Sequence, residues 1–305
     1  MPRFFILISK AEIQDACAVN GPLAIGFPSI TAFYGAAIQI QRHLNQDEQY
    51  QDIMLKSVGV CSHYFHMRSN QKNDALAHFD IPHLYSGPLR ENGTRDAINP
   101  QPICDFTVSL LLEFEGVNSS NMHDICADVE NAVYFNRIAS GDCVSIKSVE
   151  LLSMSSENIE KTEKDILRKL LPGFAMVSRP DLLNDMQNQA ENDVTAFMSN
   201  FTKSFTWIKS DTKEKGSWKL DKTAIRPGWI VPMCVGYKAI SELSTVKGQR
   251  SSEREHIFAE GVTTLGEFIV PIRLNLNQML WVPKIQPDKG LYLYSPIESI
   301  ISNHY

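Results

Sequence analysis

Residues 105–115 alternate more strictly than any other stretch of the chain. Phe106, Val108, Leu110, Leu112 and Phe114 fall on one side, and Asp105, Thr107, Ser109, Leu111, Glu113 and Glu115 on the other. Successive side chains of a strand point to opposite faces, so this period predicts a strand with one buried face and one mostly polar face. Its neighbours decide what it joins. Phe4–Ile8 is a continuous apolar run suited to a central strand. Phe33, Ala37, Ile40 and Leu44 recur at spacings of 4, 3 and 4, one face of a helix, with Ser29 at the N-cap position. Residues 53–66 read as a second strand, with Val58 and Val60 in alternation. After the third strand, Met122, Ile125, Val129 and Val133 give a second helical face. Val144, Ile146, Val149 and Leu151 then make a fourth strand, with a phase slip near Lys147 that suggests a bulge.

The order β-α-β-β-α-β over residues 3–153 is the ferredoxin-like pattern, so the expected class is α+β. One long insertion interrupts it between strands two and three. Residues 67–104 show no period and hold Pro82, Gly87, Pro88, Gly93, Pro100 and Pro102 among polar residues. At ~40 residues this exceeds ordinary loop length, and such loops are functional or disordered. The expected division is a body over residues 1–153 and a mixed helical and strand extension over 154–305 that packs on it. In the second half, 157–171, 181–198 and 253–269 read as helical, and 228–240 and 290–294 as strands. Residues 203–226 carry Lys203, Lys209, Lys213, Lys215, Lys219, Lys222 and Arg226 against Asp211, Glu214 and Asp221, with Trp207 and Trp218 interleaved. This basic stretch reads either as a track for a phosphate backbone with stacking aromatics, or as a charged hairpin with its tryptophans tucked inward.

Composition narrows the function classes. The chain has 305 residues and a net charge of −6, so it is not a free-standing polybasic nucleic-acid binder. Any nucleic acid must meet a local patch or a surface shared with a partner. Six cysteines are scattered without a CxxC pair or a Cys/His cluster, so no zinc site, metal or cofactor is expected, and buried reduced thiols in a cytoplasmic protein are. No apolar run reaches the ~18 residues of a membrane span, and no membrane contact is expected.

Catalytic motifs are missing: GxSxG, GxxxxGK[ST], HExxH and GxGxxG do not occur. His63 and His66, three apart on a strand, project to opposite faces and predict one packed and one exposed imidazole. His78 and His83 lie in the insertion beside Lys72, Tyr85 and Arg90, a set able to serve general acid–base cleavage of RNA only if it converged. The loop Asn20–Ser29, with Gly21 and Gly26, enters a helix, where free backbone N–H groups attract phosphate; a plain structural turn is the alternative. The polar side of the 105–115 strand offers no aromatics, which argues against base stacking on the open sheet.

Several blocks carry a resemblance. They are Ile13-Gln14-Asp15-Ala16, Gly21-Pro22-Leu23, Gly26-Phe27-Pro28-Ser29, Ala32-Phe33 with Gly35, and Gln41-Arg42. Leu170-Leu171-Pro172-Gly173-Phe174-Ala175 follows, with Val177-Ser178-Arg179. Pro227-Gly228-Trp229-Ile230-Val231-Pro232 with Gly236-Tyr237, and Pro287-Asp288-Lys289-Gly290-Leu291-Tyr292, complete the series. In this order, from residue 13 to 292, they resemble the family of second Csy subunits of type I-F CRISPR surveillance complexes. The resemblance implies a repeat-associated (RAMP) protein of an antiviral ribonucleoprotein, present once per complex. It would bind the 5′ handle of the guide RNA and pair with the large Csy subunit at the tail, beside an adjacent backbone Csy subunit, with target double-stranded DNA passing close by. It implies no nuclease activity. An endoribonuclease that matures guide RNA, or an architectural subunit touching protein alone, are the alternatives.

The resemblance assigns Gly26, Phe27, Ser29, Arg42 and Arg179 to RNA or its immediate support. The insertion adds Arg68, Lys72, Arg90 and Arg95, set against Asp74, Asp80 and Glu91. These place the handle along the edge between the loop Gly21–Ser29 and the base of the insertion. Arg68 is the expected phosphate contact, and Glu113 the expected bystander on an open sheet face.

Overall fold

A computed structural model describes residues 2–21, 24–71, 79–80, 102–118, 122–155, 157–187, 197–198, 205–208, 217–220, 228–249, 251 and 253–300. The first elements follow the expected order. They are β1 (Arg3–Cys17), α1 (Ile30–Leu44), β2 (Met54–Met67), β3 (Asn70–Gln71), β4 (Phe79–Asp80), β5 (Ile103–Glu115), α2 (Ile125–Phe135), β6 (Asp142–Ser145) and β7 (Ser148–Met154). β2, β5, β1 and β6 lie side by side in that order, all antiparallel, and β7 continues β6 along β1. The phase slip near Lys147 is the break between β6 and β7, where Lys147 N–H bonds Ser9 O.

β1 runs nine residues beyond the apolar run that announced it. Register shifts between Ile8 and Ala11 and between Ile13 and Ala16 absorb positive φ values at Lys10 and Asp15. Bulges of this kind keep the buried side in phase, so Ala11, Ile13 and Ala16 stay inside.

The sheet has two covered faces. Ile6, Ile8, Val108, Leu110 and Leu112 pack under α1 and α2. Phe5, Leu7, Cys61 and Leu111 pack on the other side against Ile166 and Leu167 of α3 (Ile159–Lys169) and Leu276 and Met279 of α5 (Leu276–Met279). This corrects the expectation of an open polar face on β5. Ser109 and Glu113 are buried there. Glu113 accepts Arg3 Nε (2.7 Å) and NH2 (3.0 Å) and the Ser57 hydroxyl (2.6 Å). Burial raises its pKa, but these donors outweigh it and hold the carboxyl below its usual range. A carboxylate under a second layer survives only when paired in this way.

The C-terminal half supplies β8 (Phe174–Ser178), α4 (Pro180–Gln187), β9 (Phe205–Ile208), β10 (Ser217–Leu220), β11 (Ile230–Ala239), β12 (Ala259–Ile269), β13 (Leu280–Gln286) and β14 (Leu291–Pro296). The pairing path β2-β8-β12-β11-β14-β13 returns to β2, because Ala175 pairs with Cys61 while Leu280 pairs with Gly59. Trp281 is fully buried where this path closes, and its Nε1 donates to Met176 O at 3.1 Å.

The helix expected over 253–269 is instead a turn with an isolated bridge at His256, followed by β12 from Ala259. Phe258, Val262, Leu265 and Phe268 recur at helical spacing, but Val262-Thr263-Thr264 is β-branched and the stretch pairs with both β11 and β8. The helix expected over 181–198 is described as far as Gln187; residues 188–196 lie outside the described residues. The Lys/Trp stretch forms the hairpin β9–β10, with Trp207 opposite Trp218. Trp207 is exposed rather than tucked inward.

Candidate nucleic-acid interface

β1 ends at Cys17, and the chain turns through a tight hairpin before α1. Asn20 N–H bonds Ala24 O (2.9 Å) and Gly26 N–H bonds Ala18 O (2.7 Å). Asn20 then ties this loop to β11: its Nδ2 donates to Pro232 O (3.1 Å), and its Oδ1 accepts Cys234 N–H (3.3 Å). Gly21 has a positive φ, and a Cβ there would sit 3.0 Å from Cys234 Cβ. Gly26 is different, since a Cβ there would meet nothing within 4 Å. Its N–H is spent inside the loop, but the space beside it is open.

Phe27 is 8% exposed and packs its ring on Phe33, Phe65, Phe106 and Phe268. It supports the loop from below and offers no face to a base. Ser29 occupies the N-cap of α1, but its hydroxyl pairs with Thr31 Oγ1 (2.6 Å) instead of capping the helix.

The base of the insertion meets the same end of the sheet: Ala18 N–H bonds Pro102 O (2.9 Å) and Arg68 N–H bonds Ile103 O (2.9 Å). Arg68 is not a free cation. Its guanidinium bonds Asp105 twice (2.7 and 2.9 Å) and pairs with Asp15 (2.6 Å). The hydrogen bond from Arg68 holds the Asp105 carboxyl below its usual range. One cation against two carboxylates leaves this corner negative, so it does not favour a phosphate. Lys72, Arg90 and Arg95, and with them His78, His83 and Tyr85, lie outside the described residues.

Two other predicted residues sit elsewhere. Arg42 is exposed at the last turn of α1, roughly 20 Å along the axis from Ser29 at 1.5 Å per residue. Arg179 is 8% exposed and ties three elements together, bonding Asp181 (2.8 and 2.9 Å) and Glu267 while its N–H bonds Leu265 O. Glu267 alternates with Phe268 on β12, so Arg179 lies across the sheet from Phe27. The geometry therefore gathers Gly26, Phe27, Ser29 and Arg68 at one end of the sheet and leaves Arg42 and Arg179 apart.

A cavity of about 460 Å³ opens between the start of α1 and the C-terminal half. Ser29, Thr31 and Ser140 present hydroxyls on one side, and Tyr237, Tyr292 and Tyr294 form the other. Among the described residues that line it there is no acidic or basic side chain, in a chain of net charge −6. Tyr237 and Tyr292 are cross-strand partners on β11 and β14, and both stay exposed, at 47% and 39%. Tyr292 OH bonds Tyr294 OH (2.7 Å), and the Tyr294 ring lies 4.5 Å from that of Tyr34. Burial pushes the Tyr34 phenol up to about 12 and raises that of Tyr294 as well, so both are neutral at physiological pH. Uncharged rings with exposed faces stack on bases, and neutral hydroxyls beside a helix start accept or donate without repelling phosphate.

Of the two histidines on β2, one is packed and one is exposed. His63 Nδ1 engages Pro172 O (2.5 Å) and its Nε2 engages the Ser109 hydroxyl (2.6 Å), with burial lowering its pKa. His66 is exposed, as the spacing required. Among the described residues no three of His, Cys, Asp and Glu are grouped to hold a metal ion, and no helix is long and apolar enough to cross a membrane. Cys61, Cys104 and Cys234 are buried free thiols, whereas Cys17 is exposed at the cavity wall.

Sequence reasoning missed the tyrosines as a group. Tyr237 and Tyr292 stood inside two of the blocks that carried the resemblance, but they are 55 positions apart and only strand pairing joins them.

A family model described as CRISPR-associated protein (Cas_Csy2) matches residues 6–294. The CRISPR-associated protein Csy2 of Pseudomonas aeruginosa strain UCBPP-PA14 is 30% identical over 320 residues, covering 96% of this chain and 95% of that protein. The match spans every element that builds the cavity, from β1 to β14, and the chain belongs to the CRISPR-associated Csy2 family.

Proposed function

We propose that the chain is a non-catalytic subunit of a type I-F CRISPR surveillance complex, that it binds the 5′ handle of the guide RNA, and that it pairs with the large Csy subunit. The observation that carries the RNA reading is the uncharged, hydroxyl-lined cavity at the start of α1, walled by Tyr237 and Tyr292. It is a tyrosine-walled surface free of carboxylates on an acidic chain, and its residues come from both halves of the sequence. In this reading the handle lies along the cavity, with Ser29 in its wall, and passes the adjoining loop, where Gly26 allows close approach and Phe27 supports the loop from below. Lys72, Arg90 and Arg95 remain assigned to the insertion side of the same path. Phosphate contacts from those three cations would make affinity fall as salt rises, whereas stacking on the tyrosines would depend on salt little.

The strand order second, third, first, fourth, with α1 and α2 on one face, supports a ferredoxin-like RAMP body over residues 1–153. The pairing of β8 and β13 with β2 supports an extension over 154–305 packed on it. The neighbouring backbone Csy subunit, nearby target DNA and a cytoplasmic location belong to the same reading.

Gel shift of a repeat-derived handle RNA on the chain co-purified with the large subunit tests it, alongside a cleavage assay on full repeat RNA. Handle binding that Tyr292→Ala weakens, with the repeat left intact, is expected. Turnover of the repeat would point to the endoribonuclease instead, and co-purification without any handle binding to the architectural subunit.

A further inference from the structure

The far end of α1 carries a second concavity of different chemistry. A groove of about 720 Å³ runs between the last turn of α1, the turn that follows it and the end of α2. Its floor is Leu44 and Tyr50, both buried. Asp47, Glu48 and Asp128 line it, with His43 beside them, and among the described lining residues none is Lys or Arg. Tyr50 OH donates to Asp128 Oδ2 at 2.5 Å, which fixes that carboxylate on the groove wall. Asp47 accepts Gln49 N–H at 3.0 Å, and Glu48 is exposed.

Phe135, the last residue of α2, projects over this groove and is 80% exposed. Its ring lies parallel to that of His43, 5.7 Å away. Tyr134 beside it is also exposed. A phenylalanine left in water forfeits the burial free energy that places most of its kind inside, and here Phe135 stands with exposed Tyr134 at the rim of a carboxylate-lined groove.

We infer that this groove docks a segment of another protein, one that presents an arginine or lysine beside an apolar side chain. The apolar side chain covers Phe135, and the cation meets Asp47, Glu48 and Asp128. Three carboxylates, with no Lys or Arg among the described lining residues, repel a phosphate backbone and an anionic lipid surface alike, so the charge of the groove favours a cationic partner. A buried aromatic at the centre with charges at the rim is the usual division of labour at protein interfaces.

The inference rests on the assembly proposed above. The chain is coexpressed with the other Csy subunits and a guide RNA, with Phe135 replaced by the photo-crosslinker p-benzoylphenylalanine. Irradiation is expected to give an adduct to another protein subunit, within a peptide that holds a Lys or Arg next to the attachment point. An adduct to RNA, an adduct to a second copy of this chain, or no adduct in an intact complex would overturn the inference. In parallel, the Glu48→Lys variant is expected to reduce retention of the partner subunit at least tenfold, with handle affinity unchanged. The exposed control Glu157→Lys leaves both unchanged. Wild-type retention by Glu48→Lys sinks this inference alone, whereas failure of the unsubstituted chain to co-purify with any Csy subunit sinks the assembly reading.

Discussion

The two ends of α1 differ in the chemistry they face. At Ser29 the helix starts beside a cavity walled by tyrosines, with no acidic or basic side chain among the described lining residues. At Leu44 it ends above a groove with three carboxylates and an exposed phenylalanine. The helix macrodipole runs the same way, positive at its start and negative at its end. The net charge of −6 is therefore an average over unlike surfaces. The described lining of the first holds no acid, and that of the second holds three, the contrast on which the proposed RNA and protein contacts rest. The 15 residues of α1 set the two concavities roughly 20 Å from each other, so the two proposed contacts would not compete for space.

The largest expected effect breaks the cavity from beneath. Phe27→Ala removes the hub of five packed rings and should cost about 3–5 kcal/mol of stability. Thermal unfolding measures this, and an unchanged Tm would show that the loop is not anchored on the core. Next, Tyr292→Ala should weaken handle RNA binding by about 1–3 kcal/mol, the range for loss of one base-stacking ring. Tyr292→Phe should retain most of the affinity, and Glu48→Gln at the far end should retain all of it. Equal losses from Tyr292→Ala and Glu48→Gln in a filter-binding assay would erase the distinction between the two ends.

Arg68→Ala should have a smaller effect, about 0–1 kcal/mol on stability, because the pair is partly exposed and screened. Its effect on handle affinity should be smaller than that of Tyr292→Ala, since Asp15 and Asp105 already take up the guanidinium. The Asp105 carboxyl is held low, so its contribution is present above the unfolded value of about 4 and is lost as the pH falls through the lower folded value. Denaturant melts at pH 7 and pH 3 should show the Arg68→Ala difference shrinking in acid. The smallest effect is expected at Gly26→Ala, within about 0.5 kcal/mol of stability because the added methyl meets open space. A fall in handle affinity without a fall in Tm would sharpen the cavity map by showing that RNA backbone approaches there.

Much of the N-terminal half was legible in the chain. Strict alternation over 105–115 and helical spacing from Phe33 to Leu44 are local signals, and they correspond to β5 and α1. The break at Lys147 was visible for the same reason. β12 was misread because Phe258, Val262, Leu265 and Phe268 carry a helical period by coincidence, and its strand partners β8 and β11 are distant in sequence. Glu113 looked like a surface acid because nothing local says that α3 and α5 cover that face. Arg68 looked like a free cation because Asp105 lies 37 residues away and Asp15 lies on another strand; Asp181 stands two residues from Arg179, but its other partner, Glu267, is 88 residues away and only the pairing of β8 with β12 brings it near.

The sequence by itself determined the strand and helix order of the first half, the lack of a catalytic motif and the blocks that carry the family resemblance, because periods and motifs are written between near neighbours. Only the tertiary structure decided which charges are spent and which surfaces remain. It paired Arg68 with Asp15 and Asp105, buried Phe27 among four other rings, and set Tyr237 beside Tyr292. Burial and charge compensation depend on which distant residues arrive at the same place, and that follows from strand pairing and packing rather than from any local run of residues.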